Sequence, residues 1–101
     1  MKSVLAISAL TVLLVTGVAH ADVAAGKAAY AARGCIRCHG VGGVSVVSAY
    51  PSLKGKSADY VREKLTGFRS GALQQPVMNA MSASLKDADI ENIADYIGSL
   101  E

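Results

Sequence analysis

Five consecutive residues, Cys35-Ile36-Arg37-Cys38-His39, constrain this chain more than any other stretch. Two thiols one helical turn apart, with an imidazole next in line, are suited to four kinds of chemistry: a redox disulfide, half of a zinc site, a structural disulfide, or covalent attachment of a haem. A redox disulfide of the thioredoxin type needs strand, helix and strand around the pair, and the flanks carry no strand alternation. Zinc needs four ligands, whereas residues 22–101 offer two cysteines and one histidine. A bare disulfide leaves His39 without a role. The remaining reading uses all three side chains. Both thiols add to the vinyl groups on one edge of a haem, and His39 follows as the proximal ligand of the iron.

The first 21 residues have the anatomy of a secretory signal peptide. Lys2 supplies a basic start, Val4 to Val18 form an apolar run, and Ala19-His20-Ala21 places small residues at a cleavage site. The run is shorter than the ~20 residues of a spanning helix, so no membrane insertion is expected once the leader is cut. Removing 21 of the 101 residues leaves 80, one domain starting at Asp22. Export to the periplasm fits the cysteines, since haem is attached to such chains outside the bacterial cytoplasm.

Without the leader the chain holds 9 basic residues, the ten of the full sequence less Lys2, against 8 acidic ones. Two ionised haem propionates would bring the balance slightly negative, and no basic footprint for nucleic acid is left. A domain of this size buries about 60–65% of its unfolded surface and usually needs a staple. A covalently held haem supplies one.

The pattern of residues predicts helices and little else. A first helix is expected from about Val23 to Ala32, ended by Gly34. Gly26 weakens it and shares a face with Tyr30, so another backbone is expected to pass close by. Gly40 to Tyr50 reads as loop, with a short extended piece at Val44 to Val47. Pro51 then fixes a turn, and its carbonyl is free to accept the ring N–H of a metal-bound histidine. Ser57 caps a second helix with the apolar stripe Val61, Leu65, Phe68 and Ala72, Arg62, Glu63, Lys64 and Arg69 on its exposed side, and Gly71 as its stop. Gln74 to Ser84 reads as a loop, because Pro76 bars a continuous helix, and it holds Met78 and Met81. A thioether is a soft neutral ligand for haem iron, so one of these two is expected to fill the sixth position. The last helix is expected from Asp87 to Gly98 or slightly beyond, with Ile90, Ile93, Ala94 and Ile97 on one face, Tyr96 beside it, and Tyr96 or Ile93 against Gly26.

Taken in order, Gly26 with Tyr30, Cys35 to His39, Pro51-x-Leu53-x-Gly55, Met78-Asn79-Ala80-Met81 and Ile93-Ala94-Asp95-Tyr96-Ile97 resemble a class I c-type cytochrome of the small single-haem bacterial kind. They also resemble one half of the two-haem bacterial cytochromes. The resemblance implies an all-α cytochrome c domain over residues 22–101, with three to four helices around the haem and the first and last crossing. It implies one haem c held through thioethers to Cys35 and Cys38, with His39 proximal and oriented by the Pro51 carbonyl. Met78 is the implied sixth ligand and Met81 the alternative. Where relatives often place Ser or Thr as the cap of the last helix this chain has Lys86, so Asp87 is a candidate cap. Tyr50, Lys54, Lys56 and Arg69 are candidates for the propionates.

The function implied is a monomeric, periplasmic carrier that moves one electron between redox proteins through transient contacts and turns over no substrate. Two alternatives accompany it: the cytochrome subunit of a periplasmic oxidoreductase complex, and a haem protein that binds or senses a gas.

Overall fold

Asp22 opens the first helix, α1 (Val23–Ala32), by accepting the Ala25 N–H on its side chain at 2.9 Å. Alanines carry the helix to Arg33, and Gly34, at a φ of 84°, turns the chain out of it. The chain re-enters helix at once for a single turn, α2 (Cys35–His39), so the five-residue motif is a helical turn set at an angle fixed by Gly34. The computed structural model describes residues 22–101 together with residues 3, 6 and 8–11. The expected leader and its cleavage site lie largely outside the described residues. Among the described residues no helix is long and apolar enough to cross a membrane.

A short 3-10 turn, Val41–Gly43, follows the motif. The Gly43 carbonyl accepts the N–H groups of Leu53 at 2.7 Å and Lys54 at 3.0 Å, which draws the Pro51 segment back against the motif. The extended piece expected at Val44 to Val47 does not form, and no described strand offers it a partner. Ser45 takes over the local bonding instead: its hydroxyl donates to the Val47 carbonyl at 2.8 Å, and its N–H donates to the Ser52 hydroxyl at 2.9 Å.

The next helix, α3 (Ala58–Ser70), is capped by the Ser57 hydroxyl and stopped by Gly71. Ala72, expected on its buried stripe, lies beyond that stop and is exposed. The segment expected to be loop contains α4 (Pro76–Ser82). Proline ends a helix from its interior but starts one at the first position, where its missing N–H has no partner to lose, and Pro76 sits there. The last helix, α5 (Asp87–Gly98), has the expected bounds. Lys86 is its cap residue, and the absent Ser or Thr is offset by Asp89, whose carboxylate accepts the Lys86 N–H at 3.0 Å.

Five helices therefore make up the described part of the chain, an all-α arrangement with no strand among the described residues. The count exceeds the expected three to four because the motif turn and α4 are helices in their own right. The core lies where α5 packs between α1 and α3, around Tyr30, Val61, Leu65, Leu85, Ile90, Ile93, Ala94, Tyr96 and Ile97. Each large apolar side chain here contributes ~1.5–3 kcal/mol by leaving water. Helices α1 and α5 cross at Gly26, where a Cβ would lie 1.9 Å from the Asn92 carbonyl oxygen and 2.7 Å from the Tyr96 Cβ. Of the two residues expected against this glycine, Tyr96 is the one that takes the place. Its ring meets Tyr30 at 5.5 Å between centroids, tilted by 53°.

Arg62 and Arg69, read from the pattern as an exposed face of α3, reach across to α5. Arg62 pairs with Asp59, Glu91 and Asp95, and Arg69 pairs with Asp87 at 2.7 Å. Arg33 joins the end of α1 to Asp89 at 2.9 Å.

Candidate haem site

Cys35 and Cys38 stand three residues apart on α2, so both thiols face the same way. They are half-buried and not bonded to one another. Both line a cavity of about 370 Å³ that opens between the motif, α3 and α4. Its apolar wall is made by Tyr30, Leu53, Val61, Leu65, Phe68 and Ile93, and Met78 and Met81 line it from α4.

His39 lines the same cavity, and its ring is fixed by the Pro51 segment. Its Nδ1 lies 2.8 Å from the Pro51 carbonyl oxygen. A carbonyl only accepts, so Nδ1 is the donor, and in the neutral ring that leaves on Nε2 the lone pair that a metal requires. Tyr30 locks the other end of the motif, its hydroxyl donating to the Gly40 carbonyl at 2.6 Å. Burial, with smaller contributions from Cys35 and Tyr96, pushes the Tyr30 hydroxyl from 10.0 up to about 12, so it stays a donor throughout the physiological range.

This geometry weighs on the alternatives left by the spacing. Burial raises the Cys35 thiol, the opposite of the lowered pKa that makes an attacking thiolate. Among the described residues no three His, Cys, Asp or Glu side chains converge as a set of metal ligands. Two thiols on one turn, one correctly protonated imidazole, thioethers and an apolar wall together fit a flat, covalently held macrocycle carrying iron.

The two methionines differ in setting. Met78 is half-buried and packs against the core, whereas Met81 is 39% exposed, and its methyl lies 3.3 Å from where a Cβ on Gly34 would stand. Of the propionate candidates, Tyr50 lines the cavity. Arg69 is turned away to Asp87 and the Leu85 carbonyl, since α5 begins beside it. Lys54 and Lys56 are not among the lining residues, although Lys56 lies 5.0 Å from the ring of Tyr60, which is. Lys64 also lines the cavity, with its ammonium 5.5 Å from the Tyr60 ring. The pattern had assigned Lys64 to a solvated face. The signal available was its place four residues after an exposed tyrosine, on the same face of α3.

The sequence model of the family described as Cytochrome c matches residues 23–101. The chain is 39% identical over 70 residues to the thiosulfate dehydrogenase electron acceptor of Stutzerimonas stutzeri, covering 68% of this chain and 32% of that protein. It is 36% identical over 70 residues to cytochrome c-554(548) of Halomonas halodenitrificans, covering 66% of this chain and 84% of that protein. Among solved structures it resembles cytochrome c4 of Acidithiobacillus ferrooxidans with a TM-score of 0.73 and 28% identity, over 84% of this chain and 53% of that one. The chain thus spans a third to a half of the length of two of these three. The chain belongs to the cytochrome c family, class I in fold and related to the cytochromes c4, which works by electron transfer through covalently bound haem c.

Proposed function

We propose that residues 22–101 form a periplasmic, single-haem electron carrier in which Cys35 and Cys38 hold the haem by thioethers and His39 and Met78 bind its iron. The observation that carries this reading is the Nδ1–Pro51 hydrogen bond, which leaves the Nε2 lone pair of His39 free beside a cavity that Met78 also lines. A haem bound there would supply one-electron redox chemistry. The chain's own residues set the terms of that exchange. Pro51 keeps His39 in one orientation and one tautomer, so the ligand needs no rearrangement when the charge on the iron changes. Met78 is neutral and soft, and the wall of Val61, Leu65, Phe68 and Ile93 excludes water, so both favour the ferrous state and raise the potential.

No carboxylate lines the cavity among the described residues. The Cys35, Cys38 and His39 side chains that line it are taken up by the haem in this reading, and Lys64, Tyr50 and Tyr60 have no carboxylate beside them to form an acid-base pair, which supports a carrier rather than an enzyme. The leader-like first 21 residues support export. The similarity to the electron acceptor of thiosulfate dehydrogenase supports a dehydrogenase as electron donor, met through a small interface, under about 1,200 Å², that releases quickly. A monomer with a second protein as its acceptor completes the reading.

The test is carbon monoxide. The ferrous protein at neutral pH, with its sixth position filled by Met78, is expected to bind carbon monoxide slowly or not at all. Rapid binding would instead mark a gas-binding haem. Recovery of the chain from periplasmic extracts in a stable complex with a catalytic subunit would replace the diffusing carrier with an oxidoreductase subunit.

A further inference from the structure

Beside Met78 stands Asn79, to which the methionine motif assigns no role of its own. Asn79 is half-buried, and both N–H groups and the oxygen of its amide are bonded. Its Nδ2 donates to the Phe68 carbonyl in the last turn of α3 at 2.9 Å and to the Leu73 carbonyl in the connection at 2.8 Å. Its Oδ1 accepts the Gln75 N–H at 2.9 Å. The two carbonyls only accept and the N–H only donates, so the orientation of the amide is fixed by its partners.

The chain of bonds continues to the methionine. Gln75 caps α4 with its side-chain oxygen, which accepts the Met78 N–H at 2.6 Å. The backbone of Met78 is thus held by Gln75, the backbone of Gln75 by Asn79, and Asn79 by α3. The connection is itself clamped to α3, since the Leu73 N–H donates to the Gly67 carbonyl at 3.0 Å and the Leu73 side chain fills the space beside Gly67.

A helix of seven residues cannot hold its own position, because nucleation costs more than two turns return. We infer that Asn79 is the positioning residue of the sixth iron ligand, the strut that holds α4 on α3 so that the Met78 thioether stays at the iron. This inference rests on Met78 being that ligand. Loss of the strut leaves two carbonyls and one N–H without their partner. The population of haem with the thioether dissociated rises accordingly.

The experiment measures imidazole binding to the ferric holoprotein, whose rate is set by how often the thioether leaves, together with the red-region sulfur-to-iron absorption band. Asn79→Leu is expected to speed imidazole binding about tenfold and to weaken the band, since two partly buried hydrogen bonds and one exposed one are lost. Ile90→Ala, a truncation in the core of α5 away from the cavity, serves as the control, destabilising the fold while leaving rate and band unchanged. An Asn79→Leu protein whose rate and band match those of Ile90→Ala would overturn the inference and make Asn79 an ordinary structural residue. Should Asn79→Leu not accumulate as holoprotein, Gln75→Ala cuts the same chain at its Met78 end. It is expected to speed imidazole entry, and an unchanged rate would overturn the inference equally. Met78→Ala separates the two levels: retention of the band in that variant removes Met78 as ligand, whatever Asn79 does.

Discussion

Gly26→Ala sets two well-measured effects against one another. On helix propensity alone the change should stabilise α1 by up to ~1 kcal/mol, since alanine is the best helix former and glycine among the worst. At this position the added Cβ would lie 1.9 Å from the Asn92 carbonyl oxygen and 2.7 Å from its carbonyl carbon, both backbone atoms of α5. Reaching ordinary contact requires α1 to retreat by about 1.5 Å, and a gap well under that forfeits a quarter to a half of the dispersion energy across it. The surface that would open includes Tyr30, Ile93 and Tyr96, all buried. The loss is about 3–4 kcal/mol, from which the propensity gain is subtracted, leaving a net destabilisation of about 2–3 kcal/mol. For a domain of this size that is a fall in Tm of roughly 10–20 °C. Denaturant and thermal unfolding of the holoprotein read it directly, with Ala28→Gly, at an exposed position of the same helix, as comparison. Propensity ranks Gly26→Ala above the parent and Ala28→Gly about 1 kcal/mol below it, whereas the crossing places Gly26→Ala lowest of the three. A Gly26→Ala protein as stable as the parent would refute the close approach of α1 and α5.

Tyr30 makes stability fall in alkali. Its hydroxyl ionises near 10 in the unfolded chain and near 12 in the folded one, so the unfolded state loses its proton first and the contribution, complete below pH 10, disappears between pH 10 and 12, by at most about 3 kcal/mol. Tyr30→Phe should flatten that limb while costing ~1 kcal/mol at neutral pH through the lost bond to the Gly40 carbonyl, and an unchanged alkaline slope would contradict the assignment. Arg62→Ala should cost no more than about 1 kcal/mol, because its carboxylate partners Asp59 and Glu91 are largely exposed, and the loss should shrink in 1 M salt, where screening acts within about 3 Å; a salt-independent loss would show that packing of its stem dominates.

Features governed by local rules were readable from the chain itself. The helix ends at Gly34 and Gly71 follow from the left-handed backbone that glycine tolerates, and the Ser57 cap from its hydroxyl. Gly26 was readable as a notch because a glycine in an alanine helix needs a reason, and the geometry supplies one. The His39 to Pro51 bond was anticipated from what a metal-bound imidazole requires. The misreadings arose where one residue type has opposite meanings at neighbouring positions. Pro76 forbids a helix that contains it and starts one that follows it, so the Met78 segment read as loop. Val44 to Val47 have the branched side chains of a strand, but a strand needs a partner, and partners are a property of the whole fold. Arg62 and Arg69 look solvated along their own helix, and only the arrival of α5 gives them carboxylates to reach. The role of Asn79 was illegible because its amide joins the end of one helix to the turn and the cap of the next, an arrangement set by how the connection folds back on α3.

Paired spectra of two variants test whether His39 and Met78 hold the iron of an electron carrier. The oxidised parent protein is expected to show the red-region band of sulfur bound to ferric iron. Met78→Ala should abolish that band and lower the reduction potential, because the sixth position loses its soft neutral donor. Met81→Ala should leave both unchanged at a cost below the ~2–5 kcal/mol of a buried methionine, since Met81 is 39% exposed. Loss of the band in Met81→Ala and its survival in Met78→Ala would move the ligand to Met81, and an oxidised parent spectrum without the band would contradict the His39 and Met78 pair altogether.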